Sequence, residues 1–129
     1  MVCLDTSFLV DFLKGKVNFS ELTDELERGG VAFIPAPALM ELWLGALLSK
    51  VPEEEKERIR TTLAYFPILP LDEETAKESA EIEAELLKKG QIIQTEDIMI
   101  AGIARKNNES LLTRDSDFTR ISGLKVLTY

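Results

Sequence analysis

Short apolar runs alternating with helical patterns predict an α/β fold: a central, mainly parallel sheet of about five strands with helices on both faces. Three observations carry this reading. Val2–Leu4, Val31–Ile34, Ile68–Leu69, Ser110–Thr113 and Lys125–Leu127 are brief apolar segments of strand character. Amphipathic or wholly apolar helical stretches separate them in turn. The chain has 129 residues, 45% hydrophobic and 29% charged, which suits a single domain over residues 1–129 built round one core.

Each element has a local reason. Val2-Cys3-Leu4 reads as a buried strand, with Asp5 at its C-terminal end, where ligands bind in open α/β sheets. Thr6 and Ser7 are candidate caps for a helix from Phe8 to Leu13, ended by Gly15. Asn18 and Glu21 have capping-box spacing and open a helix over Phe19 to Arg28, closed by Gly29-Gly30. Pro35 and Pro37 stop the second strand and start a helix from Pro37 to Ser49. That helix is apolar almost all round, so one side faces the sheet and another is available to a partner chain, with Trp43 and Leu47 as anchors. Glu41 is its single acid, on one face with Pro37 and Gly45.

Glu53 to Tyr65 is amphipathic, with three acids in the first turn and an i,i+4 pair from Glu54 to Arg58. Ile68-Leu69 lies between prolines and suits a sheet edge. Asp72 caps a long helix ending at Lys89-Gly90, with a solvated glutamate face. Gln91 to Gln94 connects it to a helix from Glu96 to Asn107, capped by Thr95 and apolar from Ile98 to Ala104. Arg105 and Lys106 suit that helix's C-terminal dipole. Phe118 to Ile121 reads as one helical turn before the last strand.

Composition excludes several chemistries. With no histidine and one cysteine there is no Ser-His-Asp triad, no Cys-His pair, no His- or thiolate-ligated zinc and no internal disulfide. Cys3 is read as a small buried residue. No run reaches the ~20 apolar residues of a membrane span. The first residues lack a basic segment with a following apolar run, so a secretory signal is not expected and a cytoplasmic location is. A net charge of −8 argues against nonspecific coating of nucleic acid, though not against a local site.

The informative acids stand at strand and helix ends. Asp5 and Asp115 each follow a strand, Glu41 follows the second strand on its helix, Asp97 lies in the first turn of an apolar helix, and Asp117 is two residues beyond Asp115. In a parallel α/β fold these positions open at one edge, so the carboxylates converge. Two unit charges 4 Å apart interact by about 4 kcal/mol at an effective dielectric near 20. Such a group either holds protons or surrounds a cation. Oxygen-only ligands select a hard ion, Mg²⁺ or Mn²⁺, and such an ion polarises a phosphoryl oxygen and activates water. Thr6, Ser7 and Thr113 supply hydroxyls nearby. The spacing is compatible with two chemistries, phosphodiester hydrolysis and a Mg²⁺-dependent phospho-acceptor domain. The latter calls for a lysine among the acids, and no strand-end motif here contains one. A third reading is a non-catalytic interaction module that works through the apolar helix.

The same residues resemble a known family. Val2-Cys3-Leu4-Asp5-Thr6-Ser7, Ala38-Leu39-Met40-Glu41-Leu42, Glu96-Asp97-Ile98-Met99-Ile100-Ala101 and Leu112-Thr113-Arg114-Asp115-Ser116-Asp117-Phe118 are similar, in order, to the four motifs of PIN-domain ribonucleases. The short chain and its last motif look most like the VapC-type toxins of toxin–antitoxin pairs. The resemblance implies a PIN-like fold and a Mg²⁺- or Mn²⁺-dependent endoribonuclease that hydrolyses RNA with water as nucleophile. Carried over, Asp5, Glu41, Asp97 and Asp115 are the catalytic acids. Asp5, Asp97 and Asp115 are metal ligands, with Asp117 as a further one. The implied partners are a second copy of the chain and a VapB-type antitoxin, with no membrane. Gly102 and Gln94 depart from common family residues without touching an acid. For RNA contacts, Arg114 adjoins Asp115 and is a candidate phosphate ligand, with Lys14, Lys16 and Arg120 as candidates at the same edge, although ordinary surface charge is the better reading of each.

Overall fold

The computed structural model describes residues 1–17 and 31–129. Its strands are β1 (Val2–Leu4), β2 (Ala32–Pro35), β3 (Ile68–Leu69), β4 (Ser110–Leu112) and β5 (Val126–Leu127). They form one sheet in the order β3-β2-β1-β4-β5, with every pairing parallel. The helices are α1 (Thr6–Leu13), α2 (Ala36–Leu47), α3 (Pro52–Leu63), α4 (Glu73–Lys88) and α5 (Thr95–Lys106), with a short 3-10 turn at Ser116–Arg120. The helix expected over Phe19 to Arg28, with its Asn18 cap and its glycine stop, lies outside the described residues.

Successive strand side chains point to opposite faces, yet Val2, Cys3 and Leu4 are all fully buried. Both faces of the sheet are therefore covered, which is why these strands read as continuous apolar runs. Burial, reinforced by the charges of Asp5 and Glu109, pushes the Cys3 thiol far above its ordinary range. β3 is the two-residue edge strand the flanking prolines predict. Chain order runs from the central β1 outward to β2 and β3, then returns to β4 and β5 on the other side. The crevice beyond the C-terminal ends of β1 and β4 is therefore a switch point of the kind that binds ligands in open α/β sheets.

Several local readings change. Thr6 and Ser7 do not cap α1: the N-cap position is Asp5, with no side-chain capping bond. Thr95 is the first residue of α5 rather than its cap, which is Gln94. Asp72 does cap α4, and the cap is reciprocal, since it accepts from the Thr75 backbone at 2.9 Å while its own N–H donates to Thr75 Oγ1 at 2.8 Å. The Thr75 N–H and then the Thr75 hydroxyl, both donating to the Asp72 carboxylate, hold it below its usual range. The expected Glu54–Arg58 pair is not among the ion pairs on α3; Lys56 pairs with Glu53 and Arg60 with Glu57 instead. Arg105 does more than neutralise a helix end. It pairs with Glu78 at 3.0 Å and Glu85 at 3.4 Å and donates to the Ser122 carbonyl at 2.9 Å, tying α4, α5 and the segment before β5 together.

Gly102 now has a physical explanation. α4 and α5 approach so closely there that a Cβ would collide with Ser79, lying 2.9 Å from its Cα. Gly102→Ala is therefore expected to destabilise the fold by about 1–3 kcal/mol through overpacking. Gly45, whose added Cβ meets nothing within 4 Å, is the control. Gly45→Ala is expected to be neutral or to stabilise by up to about 1 kcal/mol through helix propensity. Thermal unfolding of both variants checks this, and a Gly102→Ala protein that melts at or above the parent contradicts the packing argument.

Candidate active site

The β1–β4 pairing continues one residue past β1, with the Asp5 N–H donating to the Leu112 carbonyl at 3.1 Å. This fixes Asp5 at the mouth of the switch point, 3% exposed. Two hydroxyls hold its side chain. Thr113 Oγ1 donates to Asp5 Oδ2 at 2.6 Å, and Ser7 Oγ donates to the same oxygen at 2.8 Å. Thr113 Oγ1 also accepts from the Asp115 N–H at 3.0 Å, so one fully buried hydroxyl links Asp5 to the loop carrying Asp115. Thr113 and Ser7 thus have a more specific role than a strand hydroxyl and a helix cap.

The second oxygen of Asp5 is different. Oδ1 is buried and has no hydrogen-bond partner among the described residues. A buried carboxylate oxygen left this way is costly unless a cation or a proton meets it.

The other predicted acids gather round it. Asp97, in the first turn of α5, is half-buried. Burial and then the charges of Asp5, Glu41, Asp115 and Glu96 push its carboxyl up to about 7. Glu41 on α2 is also raised, first by burial, then by Asp5 and Glu96, with a smaller opposing contribution from the Thr6 hydroxyl. Asp97 is therefore within electrostatic reach of Asp5, Glu41 and Asp115, and Glu41 of Asp5. Glu96 belongs with them, although the sequence reading took it only as a first-turn acid. Its adjacency to Asp97 was the available signal.

Asp117 is not drawn into the group. It is exposed and paired with Arg120 at 3.0 Å, while its backbone N–H donates to Asp115 Oδ1 at 2.9 Å. Arg114 turns away toward Asp11, with Nε 3.5 Å from Oδ2. Asp11 is itself buried and accepts from the Tyr129 hydroxyl at 2.7 Å.

Among the described residues, no three acids form a ready ligating cluster. The donor set nonetheless fits a hard divalent ion: all oxygen, an orphaned Asp5 Oδ1, and neighbours whose charges disfavour one another's ionisation.

Apolar surface lies beside this edge. Met40 is 71% exposed and Leu48 78%, and a groove of about 680 Å³ runs along Leu39, Met40, Trp43, Leu63, Phe66 and Ile68. Of the two expected anchors, Leu47 is half exposed, whereas Trp43 is partly covered by Lys56 and Arg60 at 5.8 and 5.2 Å from its ring.

The family model for the PIN domain matches residues 2–124. The chain is 35% identical to Ribonuclease VapC1 of Rickettsia felis, over 97% of this chain and 93% of the relative. It is 31% identical to the tRNA(fMet)-specific endonuclease VapC of Shigella flexneri, over 95% and 92% respectively. Among solved structures, VapBC2 from Rickettsia felis bound to a promoter DNA fragment superposes with a TM-score of 0.92 at 25% identity, over 100% of this chain and 99% of that one.

The raised carboxyls set a pH dependence for the metal-free protein. A carboxyl whose folded value lies above its unfolded one contributes stability at low pH and loses it as pH rises through the folded value. For Asp97 that window runs from the model-compound value of 3.8 up to about 7. In chelator, the thermal midpoint is therefore expected to be higher at pH 5 than at pH 8. Asp97→Asn should flatten this difference and stabilise the protein at pH 8. Parallel pH profiles for parent and variant would contradict the assignment.

Proposed function

The chain belongs to the PIN-domain family, and from that premise we propose that it is a Mg²⁺- or Mn²⁺-dependent endoribonuclease, the toxin half of a VapBC-type pair. The observation that carries the reading is Asp5: a nearly buried carboxylate at the switch point, one oxygen held by two hydroxyls and the other orphaned among acids.

In this reading Asp5, Asp97 and Asp115 hold the cation. When bound, the cation supplies positive charge that polarises a phosphoryl oxygen and lowers the pKa of water. Ser7 and Thr113 orient the Asp5 carboxylate, the role of a supporting shell. Glu41 accepts the proton of the attacking water, and its raised carboxyl is a better proton acceptor than an ordinary glutamate. The water oxygen bonds to phosphorus, the bond to the leaving ribose oxygen breaks, and solvent reprotonates that oxygen. Asp117 serves its ion pair with Arg120 rather than the cation.

An antitoxin of the VapB kind is the partner that suits the apolar groove and the exposed Met40, Leu44 and Leu48 on α2. A second copy of the chain is the other partner of this reading. The VapBC2 structure from Rickettsia felis supports the antitoxin assignment. Among the described residues no helix is long and apolar enough to cross a membrane.

The test is cleavage of a labelled tRNA mixture with Mn²⁺, with Mg²⁺ and with EDTA. Asp5→Asn and Asp97→Asn, checked for fold by circular dichroism, are expected to lose at least about a hundredfold in rate, and Thr113→Val about 10–100-fold. Cutting that survives EDTA and both aspartate variants would defeat the reading.

A further inference from the structure

A second cavity, of about 420 Å³, opens from the acidic site. Thr6 and Glu41 line it, so it is continuous with the crevice. Its apolar walls include Val10, Leu13, Leu42 and Ile59, drawn from α1, α2 and α3. Lys14 and Arg58 stand at its rim, both exposed. On the helix that carries Arg58, the neighbouring cations are engaged: Lys56 with Glu53 and Arg60 with Glu57. Lys14 and Arg58 have no carboxylate partner among the described residues. In a chain of net charge −8, two uncommitted cations beside an apolar slot are a specific arrangement.

We propose that this slot is a nucleotide subsite: it takes one unstacked base of the RNA next to the cleaved phosphodiester, with Lys14 and Arg58 on the adjoining phosphates. This rests on the nuclease reading and gives it a recognition element. RNA-binding proteins read single-stranded bases by splaying them out, and a flipped base is held between aromatic or apolar side chains. Here the walls are aliphatic. Glu55, half-exposed in the lining, offers an acceptor to a base amino group. A protein partner is the competing occupant. The two cations favour RNA, because neither is paired and both can meet backbone phosphates, whereas the groove on the other side of α2 has one cation in its lining, Arg60, which is paired with Glu57.

Gly45 makes the slot testable. It lines the cavity one turn beyond Glu41, and a Cβ there enters open space. Gly45→Leu should fill the slot with no loss of thermal stability. The experiment measures equilibrium binding in the Asp5→Asn background by fluorescence anisotropy. The probe is a labelled single-stranded RNA, compared with the same RNA carrying an abasic nucleotide at each position in turn.

One abasic position is expected to weaken binding about tenfold, as loss of one stacked base does. Gly45→Leu should weaken the intact RNA by about the same factor and erase the difference between intact and abasic RNA. Lys14→Ala with Arg58→Ala should weaken both RNAs and lower the salt dependence by about two counterions. Equal binding of intact RNA with and without Gly45→Leu, or a persisting abasic difference, overturns the subsite. If Gly45→Leu spares RNA binding but loses the antitoxin, the slot belongs to a protein and the proposal falls. A parent chain that cuts RNA while the slot variants bind it normally retains the nuclease reading and loses only the subsite. A chain that neither binds nor cuts RNA loses both.

Discussion

The structure turns on a buried carboxylate. Asp5 is drawn into the interior because β1 must pair with β4, and the ladder extends to its own backbone. Once there, its charge has to be met. Thr113 and Ser7 meet one oxygen: Ser7 is a near neighbour in sequence, whereas Thr113 arrives from the far end of the chain through the parallel pairing. The other oxygen is left without a hydrogen-bond partner among the described residues, and the carboxylate's charge is felt by Asp97 and Glu41. This is a poor arrangement for an isolated fold and a suitable one for a fold that captures a divalent ion.

The surrounding packing serves that constraint. α5 carries Asp97 in its first turn and is apolar from Ile98 to Ala104, so it is pinned between the sheet and α4. The close approach at Gly102 and Ser79 sets how α5 lies on α4, and the Arg105 network with Glu78, Glu85 and Ser122 secures its other end. The position of Asp97 beside Asp5 therefore depends on contacts made well away from either acid. Close to Ser7, Phe8 meets the Tyr129 ring edge-on at 5.2 Å between centroids, and the Tyr129 hydroxyl reaches Asp11. That contact ties the C-terminal segment to α1, next to Ser7.

α2 has three jobs on three sides. Pro37, Ala38, Leu42 and Ala46 are buried against the body of the protein. Glu41 faces the acids, and Gly45, one turn on, opens the slot. Met40, Leu44 and Leu48 remain exposed beside an apolar groove. A helix apolar almost all round is therefore not wholly buried here: the sheet satisfies one side and leaves the other for a partner. The chain is acidic in total, yet Lys14 and Arg58 line the slot beside Glu41 and Glu55, and under the subsite proposal they are the groups that meet backbone phosphates.

Much of this was legible in the residues. Strand periodicity, proline and glycine stops, and the alternation of strand with helix are local signals, so the order of the elements and the parallel sheet could be read directly, as could the motif positions of Asp5, Glu41, Asp97 and Asp115. Caps were less legible, because Thr6, Ser7 and Thr95 have capping chemistry whether or not the backbone uses it. Side-chain direction was not legible at all. Nothing in the string distinguishes Asp115, turned toward the acids, from Asp117, turned to Arg120, or tells that Thr113 and Ser7 share one oxygen of Asp5. Those facts depend on which strand ends lie side by side and on where charge is buried. The Thr113 contacts with Asp5 and Ser7 join residues more than 100 positions apart, and only the packed chain brings them together.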